Sequence, residues 1–132
     1  MDKQELKRAL LRQTDGMLYI SESDYELDVQ DWGQQSKESA IKKIADERST
    51  DPGSVEELGA NAFFERTIGA LDPSDEFAAG LAQQYKDLYA YLQTVFSNIA
   101  VYKAGKIQVH IYLTCFTATG DCFVIHTISV ET

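Results

Sequence analysis

Apolar residues recur at helical spacing after Asp72 and predict the longest helix of the chain. Asp72 precedes Pro73, and aspartate before proline is typical of a helix N-terminus, where the side chain caps free backbone N–H groups. The simplest interpretation of Asp72 is therefore the N-cap of this helix. The apolar face of the predicted helix consists of Phe77, Leu81, Tyr85, Leu88, Leu92, Phe96 and Ile99.

Two segments near the end of the chain, residues 106–116 and 121–130, are rich in β-branched and aromatic residues. They flank Thr117-Ala118-Thr119-Gly120, so the pattern predicts a β-hairpin. Both faces of each strand carry apolar side chains, and such a sheet needs cover on both sides.

The register of this hairpin depends on the length of its loop. A three-residue loop places His110 and His126 on one face, whereas a four-residue loop separates them and sets Cys115 opposite Cys122. Both registers remain open.

The first half of the chain alternates short helical and extended patterns. Asp2 and Glu5 have cap spacing for a helix that ends near Gly16, and the apolar residues 17–20 favour a strand. Tyr25, Leu27 and Val29 then alternate with acids, which predicts a strand with one solvated face.

Two further helices are expected before the long one. Residues 36–48 form a polar segment with Ile41, Ile44 and Ala45 on one face. Ser54 and Glu57 have the spacing of a capping box, which predicts helical structure from there to Ile68. Together the elements predict an α+β fold, a three-layer α/β/α sandwich around a largely antiparallel sheet, with residues 1–132 as a single domain.

The charge of the chain is concentrated in residues 21–32, where five of the twelve residues are carboxylates. The full sequence has 21 acidic and 12 basic residues and a formal net charge of −9. Such a protein should repel nucleic acid and attract basic protein surfaces or cations. With no apolar run long enough for a membrane span, we expect a cytoplasmic protein that is a monomer when free.

Known catalytic and metal-binding patterns fit the sequence poorly. Asp24, Glu26 and Asp28 lack the glycine and glutamate that an EF-hand loop needs next. No phosphate loop or nucleophile motif is present, so we expect neither catalysis nor a cofactor. We expect Cys115 and Cys122 to be reduced, partly buried thiols.

Several segments of the sequence form a joint pattern. They are Gly16-Met17-Leu18-Tyr19-Ile20-Ser21-Glu22-Ser23-Asp24-Tyr25, the following acidic strand with its aromatic end, Phe63-Phe64, and Ser129-Val130-Glu131-Thr132. In this pattern the sequence resembles the nuclease A inhibitor (NuiA-like) family of bacteria. The resemblance covers most of the chain and is strongest in residues 16–32 and from Phe63 to the end.

The resemblance implies an α/β/α protein that blocks a sugar-non-specific, Mg²⁺-dependent endonuclease one to one. It implies that Glu22 approaches the nuclease active site, that Thr132 reaches the catalytic Mg²⁺, and that Asp72 contributes from a loop. We add Asp24 and Glu131 to this expected partner-binding set. The family pattern has an aromatic residue after the loop acid, whereas Pro73 stands there in this chain.

Two other functions remain open. Glu22 with His110 or His126 could serve a small metal-dependent hydrolase or a metal-binding domain. Alternatively, the fold could be an interaction module whose partner is not a nuclease. The target nuclease is also left open.

Overall fold

A computed structural model of the protein describes residues 2–132. Three strands follow the first helix, one strand separates the second and third helices, and three consecutive strands follow the long fourth helix. The helices are α1 (Lys3–Thr14), α2 (Lys37–Glu47), α3 (Ala60–Gly69) and α4 (Glu76–Val95), with a 3₁₀ turn at Pro52–Ser54. The strands are β1 (Leu18–Tyr19), β2 (Tyr25–Glu26), β3 (Asp28–Gln34), β4 (Glu56–Gly59), β5 (Asn98–Ala104), β6 (Gln108–Phe116) and β7 (Asp121–Val130).

Five strands form an antiparallel sheet in the order β3-β7-β6-β5-β4, and β1 pairs with β2 in a separate two-stranded ribbon. One face of the large sheet packs against α1, α3 and α4 in a core that includes Leu10, Phe64 and Leu88. The other face packs against α2, and Ile44 of this helix belongs to the smaller core formed there. The predicted three-layer α/β/α sandwich is therefore confirmed. No helix within residues 2–132 is long and apolar enough to cross a membrane.

The first two helix predictions are confirmed. Asp2 caps α1 by accepting a hydrogen bond of 2.8 Å from the backbone N–H of Glu5. Ser36 caps α2 through a reciprocal capping box with Ser39. Ile44 and Ala45 are fully buried.

The hairpin has the three-residue loop. Thr117 donates its backbone N–H to the carbonyl of Asp121 at 2.9 Å, which leaves residues 118–120 as the loop. Tyr112 consequently lies opposite His126, and His110 lies two residues before Tyr112 on the same face. Cys115 pairs with Phe123, so the two cysteines face opposite sides of the sheet.

The helix predicted from Ser54 was wrong in its first half. Glu56–Gly59 instead forms β4, which pairs with β5 at the edge of the sheet, and α3 begins only at Ala60. Ser54 and Glu57 have capping spacing, but pairing with the neighbouring strand overrides this local preference. The predicted burial of Phe63 and Phe64 is confirmed, because their exposed fractions are 2% and 1%.

Both ends of the long helix differ from the prediction. Asp75, not Asp72, is the N-cap, and its carboxylate accepts a hydrogen bond of 2.8 Å from the N–H of Ala78. At the other end α4 stops at Val95, and Ile99 lies in β5 opposite Cys115. A single residue beyond the end of a helix can fit both the 3.6-residue spacing of a helix and the two-residue spacing of a strand. Ile99 therefore matched the predicted helix although it belongs to a strand.

Candidate partner-binding surface

Glu22 and Thr132 are joined directly at one end of the molecule. The backbone N–H of Thr132 donates to Glu22 Oε2 at 2.7 Å. The hydroxyl Oγ1 of Thr132 lies 2.7 Å from Oε1 and 2.6 Å from Oε2 of the same carboxylate. Both side chains are exposed, so this paired group faces outward.

Backbone contacts along the end of β7 hold this arrangement in place. Val130 donates its N–H to Ser21 Oγ at 3.0 Å, and Glu22 donates its N–H to the carbonyl of Val130 at 3.4 Å. On the other side, Glu131 donates its N–H to the carbonyl of Ile107 at 2.8 Å. The last residues of the chain therefore lie between the Ser21–Glu22 segment and the start of β6.

The contact with Glu22 determines what the Thr132 hydroxyl can do chemically. A hydroxyl has one proton to donate and two lone pairs that accept. Since the carboxylate has no proton to give when it is ionised, the proton of Oγ1 points to Glu22. The lone pairs of Oγ1 are left for a donor or a cation outside the molecule.

The carboxylates of residues 21–32 divide into two groups. Asp28 contacts His126 at 2.7 Å and Asp31 contacts Lys3 at 3.5 Å. Glu22, Asp24 and Glu26 are exposed and make no salt bridge with any Lys, Arg or His in the described part of the chain. Glu131, which precedes the Thr132 that Glu22 contacts, is also exposed. We call Glu22, Asp24, Glu131 and Thr132 the acidic edge.

Asp72 lies in the loop between α3 and α4 and is exposed. Its Oδ1 accepts hydrogen bonds from the hydroxyl of Ser74 at 2.7 Å and from the N–H of Ser74 at 2.9 Å. These two bonds, the hydroxyl first, lower the pKa of Asp72 below its usual range because they favour the charged form.

A cavity of about 180 Å³ is lined by sequence neighbours of both segments. Ile20, two residues before Glu22, and Leu71, the residue before Asp72, both line it. Sequence neighbours of Glu22 and Asp72 therefore share this cavity, but the two carboxylates do not line it, and Asp72 makes no direct bond to the acidic edge among the described residues.

The two histidines belong to a separate row of hydrogen bonds on the α2 face of the sheet. Asp28 Oδ1 lies 2.7 Å from His126 Nδ1, and His126 Nε2 lies 2.9 Å from His110 Nδ1. Arg48, at the end of α2, lies 2.7 Å from His110 Nε2. The row ties β3, β7, β6 and α2 together.

One set of neutral tautomers satisfies the whole row. Arg48 donates to His110 Nε2, His110 Nδ1–H donates to His126 Nε2, and His126 Nδ1–H donates to Asp28. Burial first, then the Arg48 charge and His126, lower the pKa of His110 from 6.5 to about 4. Within residues 2–132 no group of three or more His, Cys, Asp or Glu side chains is placed to hold a metal ion.

The cysteines are free, and both are fully buried. Burial raises the pKa of the Cys115 thiol above its usual range and raises that of Cys122 to about 12. Both thiols therefore stay protonated at neutral pH and are poor nucleophiles.

Sequence reasoning missed the residues that support the acidic edge. Ser21 and Ile107 hold it through single hydrogen bonds to Val130 and Glu131. These bonds join segments distant in sequence, and Ile107 takes part only through its carbonyl. Ser21 was the one signal for this support in the sequence, because a short hydroxyl side chain often forms hydrogen bonds with nearby backbone groups.

Comparison with known proteins shows the family of the chain. A family model described as "Nuclease A inhibitor-like protein" matches residues 4–132, nearly the whole chain. The chain matches no curated protein sequence. Because the family match extends over α1 to α4 and the whole sheet, it covers every residue of the acidic edge as well as Asp72. The chain belongs to the nuclease A inhibitor-like family.

Proposed function

We propose that this protein inhibits a sugar-non-specific, Mg²⁺-dependent endonuclease by occupying its active-site cleft, with residues 1–132 acting as one inhibitory domain. It is a binding protein without catalysis, and the acidic edge together with Asp72 forms the contact surface. Membership of the nuclease A inhibitor-like family supports a nuclease as the partner. The observation that carries the proposal is the outward-facing contact between Glu22 and Thr132.

The chemistry of a nuclease cleft explains why this contact fits. Such a cleft binds phosphate oxygens with basic side chains and with Mg²⁺, a hard cation that prefers oxygen ligands. Glu22 supplies carboxylate charge where a phosphate would lie. The Thr132 hydroxyl donates a hydrogen bond to Glu22, which leaves the lone pairs of Oγ1 available. This oxygen is therefore suited to reach the Mg²⁺ of the bound nuclease.

Asp72 supports the same contact from the second loop. Its two bonds to Ser74 fix the carboxylate and keep it ionised, so little side-chain freedom is lost on binding. Pro73 adds no aromatic anchor here, which leaves the loop with an electrostatic role.

The charge distribution favours rapid association with such a partner. Glu22, Asp24 and Glu26 are exposed without basic partners among the described residues, in a chain of net charge −9. A basic cleft is attracted to this edge before contact, and the attraction raises the association rate more than the final affinity.

A stoichiometric titration tests the proposal. Protein that ends at Thr132 is added to several Mg²⁺-dependent non-specific endonucleases while DNA cleavage is followed. Complete loss of cleavage at equimolar protein, with excess DNA and Mg²⁺ present, is the expected result for at least one enzyme. If cleavage persists in all of them, inhibition of this enzyme class is overturned, and a pull-down would then seek a partner of another kind.

A further inference from the structure

Two exposed isoleucines flank the last residues of the chain. Ile107 is 63% exposed and Ile20 is 42% exposed, and with Leu11 and Phe77 they are the exposed large apolar side chains of residues 2–132. The carbonyl of Ile107 accepts from Glu131, and Ser21, which follows Ile20, accepts from Val130. One isoleucine therefore lies on each side of residues 130–131.

The fold uses these two side chains only in part. Ile107 lies one residue before β6, and its carbonyl accepts from Glu131, a bond that any residue could supply. Ile20 follows β1 and lines the cavity of about 180 Å³ beside Leu71 with part of its side chain, while 42% of the residue remains exposed. The exposed apolar surface of both isoleucines is therefore left for a contact outside the fold.

We propose that Ile20 and Ile107 are the apolar anchors of the partner-binding surface, and that they pack against apolar groups at the rim of the partner's basic cleft. The inference rests on the inhibitor function proposed above. Carboxylates at the acidic edge match the basic cleft, while the isoleucines on either side match a less polar rim.

The two kinds of residue should control different rates. Long-range attraction by carboxylates acts during the encounter and sets association, and it weakens with salt. Apolar anchors act only after water has been excluded, so they set how long the complex lasts. Mutation of an isoleucine should therefore change dissociation and leave association nearly unchanged.

The test measures binding kinetics on a nuclease that the unsubstituted protein inhibits. Ile20→Thr and Ile107→Thr keep the branched Cβ and replace the ethyl group of isoleucine with a hydroxyl. We expect each to raise the dissociation rate about tenfold or more, with less than about twofold change in association. Leu11→Gln is the matched control, because Leu11 is 48% exposed on α1 and lies outside the acidic edge. Melting temperatures verify that all variants are folded.

Each outcome decides a specific question. Unchanged dissociation of both isoleucine variants, with full inhibition by the unsubstituted protein, would overturn the anchor role and leave the inhibitor function standing. An equal change in Leu11→Gln would also overturn it, because the effect would then follow lost surface hydrophobicity in general. Absence of inhibition by the unsubstituted protein would overturn both proposals.

Discussion

Thr132 Oγ1 lies 2.7 Å and 2.6 Å from the two carboxylate oxygens of Glu22, although the residues are 110 positions apart in the sequence. The contact forms because Ser21 and Glu22 run beside the end of β7, where Val130 bonds to both. A carboxylate that accepts a hydroxyl proton and a backbone N–H is fixed in orientation without losing its charge. The pair is thus held in one geometry in the free protein.

Thr132→Val tests whether the hydroxyl oxygen takes part in inhibition. Valine keeps the size and branching of threonine but offers no oxygen, so we expect inhibition to weaken by about 10- to 100-fold, the range of a lost interface anchor. The inhibition constant for DNA cleavage is the measurement. The melting temperature should stay unchanged within about 2 °C, since the side chain is exposed.

Thr132→Ser is the matched control for that change. Serine keeps the hydroxyl and loses only a methyl group, so inhibition should remain within about threefold of the original. Unchanged inhibition by the valine variant would remove the oxygen from the mechanism, whereas an equal loss in the serine variant would show that the oxygen alone does not account for the contact.

Glu22→Gln should slow association with the nuclease and weaken the complex. Glutamine keeps an acceptor for Thr132 but removes one negative charge from the acidic edge, so we expect the association rate to fall about two- to fivefold at low salt. Stopped-flow mixing at several ionic strengths measures this, and the difference should shrink as salt screens the charges.

Glu38→Gln separates local from overall charge in that experiment. Glu38 is exposed in the first turn of α2, so this variant has the same net charge as Glu22→Gln. Its association rate should match that of the unsubstituted protein. A similar slowing in both variants would show that net charge alone drives the encounter.

The sequence predicted the layers of the fold well because they depend on strong local patterns. The hairpin of β6 and β7 and the amphipathic face of α4 follow from periodicity and from apolar residues on both strand faces. Strand β4 could not be predicted, since its stability comes from pairing with β5, which lies about 40 residues later. Local capping spacing at Ser54 favoured a helix that tertiary pairing overrides.

The candidate site was predictable only in part for the same reason. The family resemblance placed Glu22 and Thr132 in one surface, and the structure brings them into contact. Nothing in the local sequence indicates that Ile107 supports Glu131, because a carbonyl contact leaves no side-chain signal. The two histidines share a face only if the hairpin loop has three residues and not four, and the sequence left this loop length open.

His110 should make the unfolding free energy depend on pH. Its pKa is about 4 in the folded protein and 6.5 ordinarily, so between these values the unfolded chain binds more protons. The contribution of His110 is therefore fully present above pH 6.5 and is lost as the pH falls toward 4. Because the ring is partly solvated, we expect roughly 1–2 kcal/mol, less than the full shift implies.

Urea unfolding of the original protein and of His110→Gln, at several pH values from about 4.5 to 7.5, measures that contribution. Arg48 and His126 contact the His110 ring, while Tyr112, Glu47 and Asp28 lie beyond them in the same cluster. All five remain in both proteins, so the difference between the two curves measures the loss of His110 and of its contact with His126. The difference should vary with pH below 6.5 and become constant above it. A difference that does not vary with pH would contradict a lowered pKa.

Tyr102→Phe should leave the protein equally stable or stabilise it. The Tyr102 hydroxyl is buried and has no hydrogen-bond partner among the described residues, and burial raises its pKa to about 12. An unpaired buried hydroxyl costs free energy, whereas phenylalanine fills nearly the same space, so we expect a gain of up to about 1 kcal/mol.

Thr114 is the contrasting site, because its hydroxyl donates to the carbonyl of Ala100 at 2.8 Å. Thr114→Val should cost about 1 kcal/mol in the same urea titration. Destabilisation by Tyr102→Phe of similar size to that by Thr114→Val would show that the Tyr102 hydroxyl is hydrogen-bonded in solution.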